Sequence, residues 1–221
     1  VLHLVLIALI GTSSGQLTFQ FANAMSMIAW VVSALVLLLS LREPVASLGL
    51  VVFPISALAT LASVLLPTAA PVEPLSPGVA LHAGISVVTY GILMISAAQA
   101  CVIAVQNNRL HAGAAGGFIR NLPPLASMES LLFRLIAAGF VLLCLALLTG
   151  LSFLDDMFAQ HLVHKTVLSL LAWVIFGTLL VGRKLAGWRG KTAVRWTLAG
   201  SAILVLAYAG SKFVAEVILG Q

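Results

Sequence analysis

The stretch VALHAGISVVTYGILMISAAQACVIAVQ, residues 79–106, decides how the rest of the chain is read. It is apolar without alternating. A hydrocarbon core of about 30 Å takes about 20 helical residues at 1.5 Å each, so the run is long enough to span a membrane as one helix. On that helix His82, Ser86 and Tyr90 fall on one face, because residues four apart stack along the axis. Gly84, Gly91, Ala97, Ala100 and Ala104 offer small surfaces where neighbouring helices approach closely. The polar stripe is expected to face protein, since lipid supplies no hydrogen-bond partner. Ser86, Thr89 and Tyr90 then read as contacts between helices. His82 is an ionisable group near a membrane helix end, which makes it the functional candidate beside the plainer reading of an interface marker.

Composition extends this reading to the whole chain. Of 221 residues, 62% are hydrophobic and only 8% charged, with a mean hydropathy of +1.17. Soluble domains carry about a quarter charged residues. The apolar segments are continuous, which excludes the alternating pattern of a lipid-facing β-barrel. The expected fold is all-α, a polytopic transmembrane helical bundle forming one domain over residues 1–221. The net charge of +5 does not point to nucleic acid, because the basic residues gather at helix ends, where membrane topology accounts for them. Cys101 and Cys144 lie inside apolar runs without CxxC or CxxCH spacing. They are expected to be small buried hydrophobes, and no haem is expected to be attached covalently to this chain.

About seven helical segments follow in order. VLHLVLIALIG provides only about half a span, so the first helix is expected to be partial and to lack its start. Further segments cover residues 21–41, 45–66 with Pro54 as an expected kink, 79–106, 127–153, 166–181 and 196–219. Residues 107–126 read as a flexible cytoplasmic linker, Gly/Ala/Pro-rich with two arginines, after which Ser127 can cap the next helix with Glu129 at its positive end. Alternating the segments puts Arg42, Arg109, Arg120, Arg134, Arg183, Lys184, Arg189, Lys191 and Arg195 on one side, against Lys165 and Lys212 on the other. By the positive-inside rule the first set is cytoplasmic. The C-terminus, the proline-rich 67–78 loop and the mouth of the His82 helix are then external.

The external side also holds Asp155, Asp156, His161 and His164. His82 and His164 stand at the starts of helices running in the same direction, and two neutral imidazoles from different helices suit a b-type haem or a transition metal. No HExxH occurs and no carboxylate lies at ligand spacing from His82, so a metal site without haem has little support. His3 would lie inside the membrane, where a histidine needs a partner, and His111 lies in the linker. Lys212 and Glu216, four apart, read as an ion pair neutralising itself near the interface.

The runs LHAGISVVTYG, MESLLFRLIAAGFVLLCLALLTG, HKTVLSLLAWVIF and AYAGSKF resemble, in that order, the core of the CcsA/HemX-like cytochrome c assembly proteins, and most closely their short YpjD-type branch. The resemblance covers nearly the whole chain. It implies helices that surround non-covalently held haem b and present it externally, with apocytochrome c and other assembly membrane proteins as partners in an inner bacterial membrane. His82 falls on the family's external histidine and so inherits the role of axial ligand, while His3 is similar to the branch's intramembrane histidine. The longer members carry a tryptophan-rich external segment before the helix that begins here near Thr166, whereas this chain reads DDMFAQHLVHK. His164 therefore enters only from its position on the same side. The expected function is haem binding or handling in cytochrome c biogenesis, accessory rather than as a haem lyase and without enzymatic activity. The rivals are a small permease, which predicts inverted repeats and broken mid-membrane helices, and a partner-stabilising scaffold without cofactor.

Overall fold

A computed structural model of the protein describes residues 21–41, 46–65, 76–113, 122–153 and 163–210. These residues form six helices: α1 Phe21–Ser40, α2 Ala46–Leu65, α3 Pro77–His111, α4 Leu125–Phe153, α5 Val163–Ala186 and α6 Lys191–Val205, the last continuing as a π-helical turn over Leu206–Gly210. The partial first helix, with His3, lies outside the described residues, as do Asp155, Asp156, His161, Lys212 and Glu216. Among the described residues four helices are long and apolar enough to cross a membrane: α3 and α4 over their full lengths, α2 from Leu48 and α5 from Lys165. α1 is a further apolar helix.

The ends of α3 show why the central run folds as it does. Ser76 is the N-cap, its side chain accepting from the Val79 amide, and Pro77 occupies the first turn, where a missing N–H costs nothing. At the other end Arg109 and His111 occupy the last turn, a favourable place for basic groups. Gly113 then leaves with a positive φ of 67°. The helix thus runs two residues earlier and five later than the apolar run alone suggests. Its last turn takes in the beginning of the stretch read as a flexible linker.

α3 is the axis of the bundle, packing against α4 most extensively and also against α1, α2 and α6. It runs antiparallel to α4. At one end the Gln106 side-chain amide donates to the Pro123 carbonyl, and a turn or two further in Gln99 donates to the Met128 carbonyl. At the other end His82 meets Thr149 and Gly78 faces Phe153. Between them Gly139 of α4 lies against Leu93 of α3, while Ser201 of α6 donates to the Leu93 carbonyl at 3.5 Å. The core is a continuous apolar cluster that includes Leu93, Ile103, Leu132, Ile136, Phe176 and Leu204. α2 stays helical through Pro54, and Ser56 just after it bonds both Ser33 and the Ala29 carbonyl of α1.

Three local expectations change. α4 begins at Leu125 behind Pro123–Pro124, and Ser127 is already in its first turn, so Ser127 is not the cap. Glu129 instead reaches across the bundle: its Oε1 accepts from the Gly190 amide at 2.8 Å and caps the start of α6. Cys101 lies on the exposed outer face of α3, and Cys144 is half-buried with its sulfur accepting from Trp173 Nε1 at 3.1 Å, so neither is a buried core group.

The Glu129 cap closes a compact turn between α5 and α6. Gly187 and Gly190 take the positive φ values the turn needs, 64° and 58°. Trp188 packs against Gly182 and Trp196, and Arg183 donates to the Trp188 carbonyl while lying 4.7 Å over the Phe133 ring. Glu129→Ala is expected to cost about 1 kcal/mol, the usual worth of a side-chain cap. Thermal unfolding in detergent measures it, and an unchanged midpoint would mean that the cap is idle.

Candidate functional site

His82 stands five residues into α3, about 7 Å from its start. Its half-buried imidazole is turned toward α4, where Nδ1 lies 3.2 Å from the Thr149 hydroxyl. That hydroxyl also lies 2.9 Å from the Leu145 carbonyl and 3.1 Å from the Ala146 carbonyl of its own helix. The stripe read from sequence therefore does face protein at its ends: His82 meets α4, and Tyr90, two turns deeper, meets Tyr208 edge-on with ring centroids 5.8 Å apart. Thr89, almost fully buried, satisfies its hydroxyl on the Ile85 carbonyl. Ser86 is half-buried between the two ring contacts, and Gly84 faces open space.

Tyr208 comes from the π-helical turn Leu206–Gly210, where the backbone winds one residue wider than an α-helix. Such turns recur at functional sites, because they displace one side chain from the regular spiral. Its last four residues, AYAG, open the AYAGSKF segment, which sequence alone reads as the continuation of an ordinary helix.

The predicted ligands are thus placed unequally. His82 lies at the α3/α4 contact, at the end of the bundle where α5 starts. His164 is the second residue of α5, at that same end. His3 lies outside the described residues. His111, at the opposite end of α3, is exposed and engages the Asn107 carbonyl at 2.7 Å. Among the described residues no three His, Cys, Asp or Glu side chains come together as a metal-binding group. Thr149 is the participant that sequence reading missed. A threonine inside an apolar helix looks like any other hydroxyl that bonds its own backbone, and only the antiparallel register of α3 and α4 sets it beside His82.

A helical membrane bundle with one imidazole held at the mouth of its central helix defines the class. The chain belongs to the cytochrome c assembly family: the family described as "Cytochrome C assembly protein" matches residues 1–219. It is 37% identical to the inner membrane protein YpjD of Escherichia coli K12 over 148 residues, 65% of this chain and 54% of that one. An uncharacterized 28.8 kDa protein of Azospirillum brasilense is 34% identical over 63% of the chain and 52% of its own length. The cytochrome c biogenesis protein CcsA of Prochlorococcus marinus is 28% identical over 38% of the chain and 27% of its own. The chain spans about half the length of these two curated relatives, YpjD and the Azospirillum protein. No solved structure matches it.

Proposed function

We propose that the protein binds and hands on haem during cytochrome c assembly, as an accessory membrane component of the inner membrane, with His82 as an axial ligand. The observation that carries the reading is the placement of His82 in a chain of this family: a half-buried imidazole between α3 and α4 with one nitrogen engaged by Thr149. The donor set fits the group. Haem brings four nitrogens to its iron, so one or two imidazoles from the protein complete the coordination.

His82 would hold the iron. His164 or His3 is the candidate for the second position, and a partner protein is the remaining source. Tyr90 and Tyr208 would border the site on its inner side. When bound, haem supplies the iron and the porphyrin that is passed to an apocytochrome. This chain's part is to hold it at the bundle mouth. The accessory role is supported by the sequence after α4, DDMFAQHLVHK, which lacks the tryptophan-rich pattern of longer members.

Protein purified in detergent from haem-replete cells is expected to show a Soret band, or to gain one when haem is added. A protein that neither carries nor takes up haem returns the bundle to the scaffold reading.

Orientation follows from charge. Arg109, Arg134, Arg183, Lys184, Arg189, Lys191 and Arg195 gather at the end opposite His82, which makes that end cytoplasmic and the His82 end external. In a background lacking Cys101 and Cys144, a membrane-impermeant thiol reagent is expected to label Ser76→Cys in intact cells and not Asn108→Cys. The reverse pattern inverts the topology.

A further inference from the structure

We infer that Thr149 is a positioning residue for the haem site, one that fixes the tautomer of His82 so that Nδ1 carries the proton and Nε2 keeps its lone pair for iron. This rests on the proposed haem-binding reading for its purpose but not for its geometry. A threonine hydroxyl has one proton and two lone pairs. Here it lies within 2.9 Å of the Leu145 carbonyl and 3.1 Å of the Ala146 carbonyl, both acceptors only, and 3.2 Å from His82 Nδ1. The single proton goes to the carbonyls, which are nearer and are the usual partners of a helical threonine. The lone pair facing His82 can then only accept, so Nδ1 must donate.

A neutral imidazole that is protonated at Nδ1 is a donor there and a Lewis base at Nε2. The contact does three things a ligand site needs. It selects one of two tautomers, it holds the ring plane against rotation, and by accepting a hydrogen bond from Nδ1–H it raises the basicity of the coordinating nitrogen. Its rigidity comes from α4, since Thr149 is itself tied to its own helix by the two carbonyls. Tautomer and ring direction are thereby set before haem arrives.

The test separates this inference from the haem reading. Histidine-selective ¹⁵N NMR of the haem-free protein reports which ring nitrogen is protonated, with His82 assigned by the signals that vanish in His82→Gln. The wild type is expected to show the Nδ1–H tautomer. Thr149→Val keeps the shape and removes the hydroxyl acceptor, leaving only the Ala146 carbonyl that also faces His82, and is expected to give mixed tautomers. Thr149→Ser is expected to restore the wild-type pattern. In haem titrations Thr149→Val should weaken binding by about 10- to 100-fold, the usual effect of losing a ligand's supporting partner, with Thr149→Ser near wild type. An Nε2–H tautomer in the wild type, or an unchanged Nδ1–H pattern in Thr149→Val, overturns the inference whatever haem does. A wild type that shows the expected tautomer but binds no haem sinks the proposed function and leaves Thr149 as the group that orients His82.

Discussion

His82→Ala is expected to abolish the Soret band of the purified protein, or to leave a weak, shifted band from haem held without its ligand. The loss should exceed the about 10- to 100-fold that follows removal of a mere supporting partner, because the iron–nitrogen bond itself goes. The fold should survive. His82 is only half-buried, and after its removal the Thr149 hydroxyl still bonds the Leu145 and Ala146 carbonyls, so no buried polar group is left unpaired. His111→Ala is the matched control: it is exposed at the far end of α3 and should leave the spectrum untouched. His164→Ala divides the ligation schemes. Loss of a low-spin spectrum makes His164 the second ligand, and no change passes that position to His3 or a partner. A His82→Ala protein with the full wild-type band removes His82 from the site.

The helices were legible because lipid demands long apolar runs, and the α3 face was legible because residues four apart must share a side. The described ends moved where other forces act. α6 begins at Lys191 rather than near Trp196, and α5 runs on to Ala186 through Arg183 and Lys184, because basic side chains at the membrane surface can stay in a helix and lead their charges to water. Hydropathy stops at the first charge and the backbone does not.

Contacts between distant segments were not legible. Glu129 near the start of α4 looks like a residue that serves its own helix dipole, yet it caps α6, which is 61 residues away. Thr149 and His82 are 67 residues apart and meet through the register of α3 on α4. That register is set by glutamine bonds to backbone carbonyls and by glycine approaches, none of which has a spacing rule in one dimension. The π-helical turn that brings Tyr208 to Tyr90 leaves no mark on periodicity either, since it shifts only a few residues near the end of the described chain. The sequence pointed to His82 as a ligand candidate, and the fold supplied what stands behind it.

The register itself predicts the second large effect: Gly139→Val should collapse the level of folded protein in the membrane. A Cβ on Gly139 would lie 2.5 Å from Leu93 Cδ2, 2.8 Å from Leu93 Cγ and 3.4 Å from Ile92 Cγ2. Leu93 is fully buried, so its side chain can move aside only by displacing its neighbours. Moving α3 away from α4 would also disturb its packing against α6, where Ser201 meets the Leu93 carbonyl. Overpacking a close crossing costs about 1–3 kcal/mol for small additions and more for a branched side chain. Against a total stability of about 5–15 kcal/mol, that is enough to lower abundance several-fold. Leu93→Ala introduced into Gly139→Val should recover part of the loss by making room at the same point. Gly84→Ala, with nothing within 4 Å of the added methyl, should change nothing. The readouts are membrane abundance and the thermal midpoint in detergent. If Gly139→Val is as abundant and as stable as wild type, α3 and α4 do not cross at Leu93, and the register that sets Thr149 behind His82 fails with it.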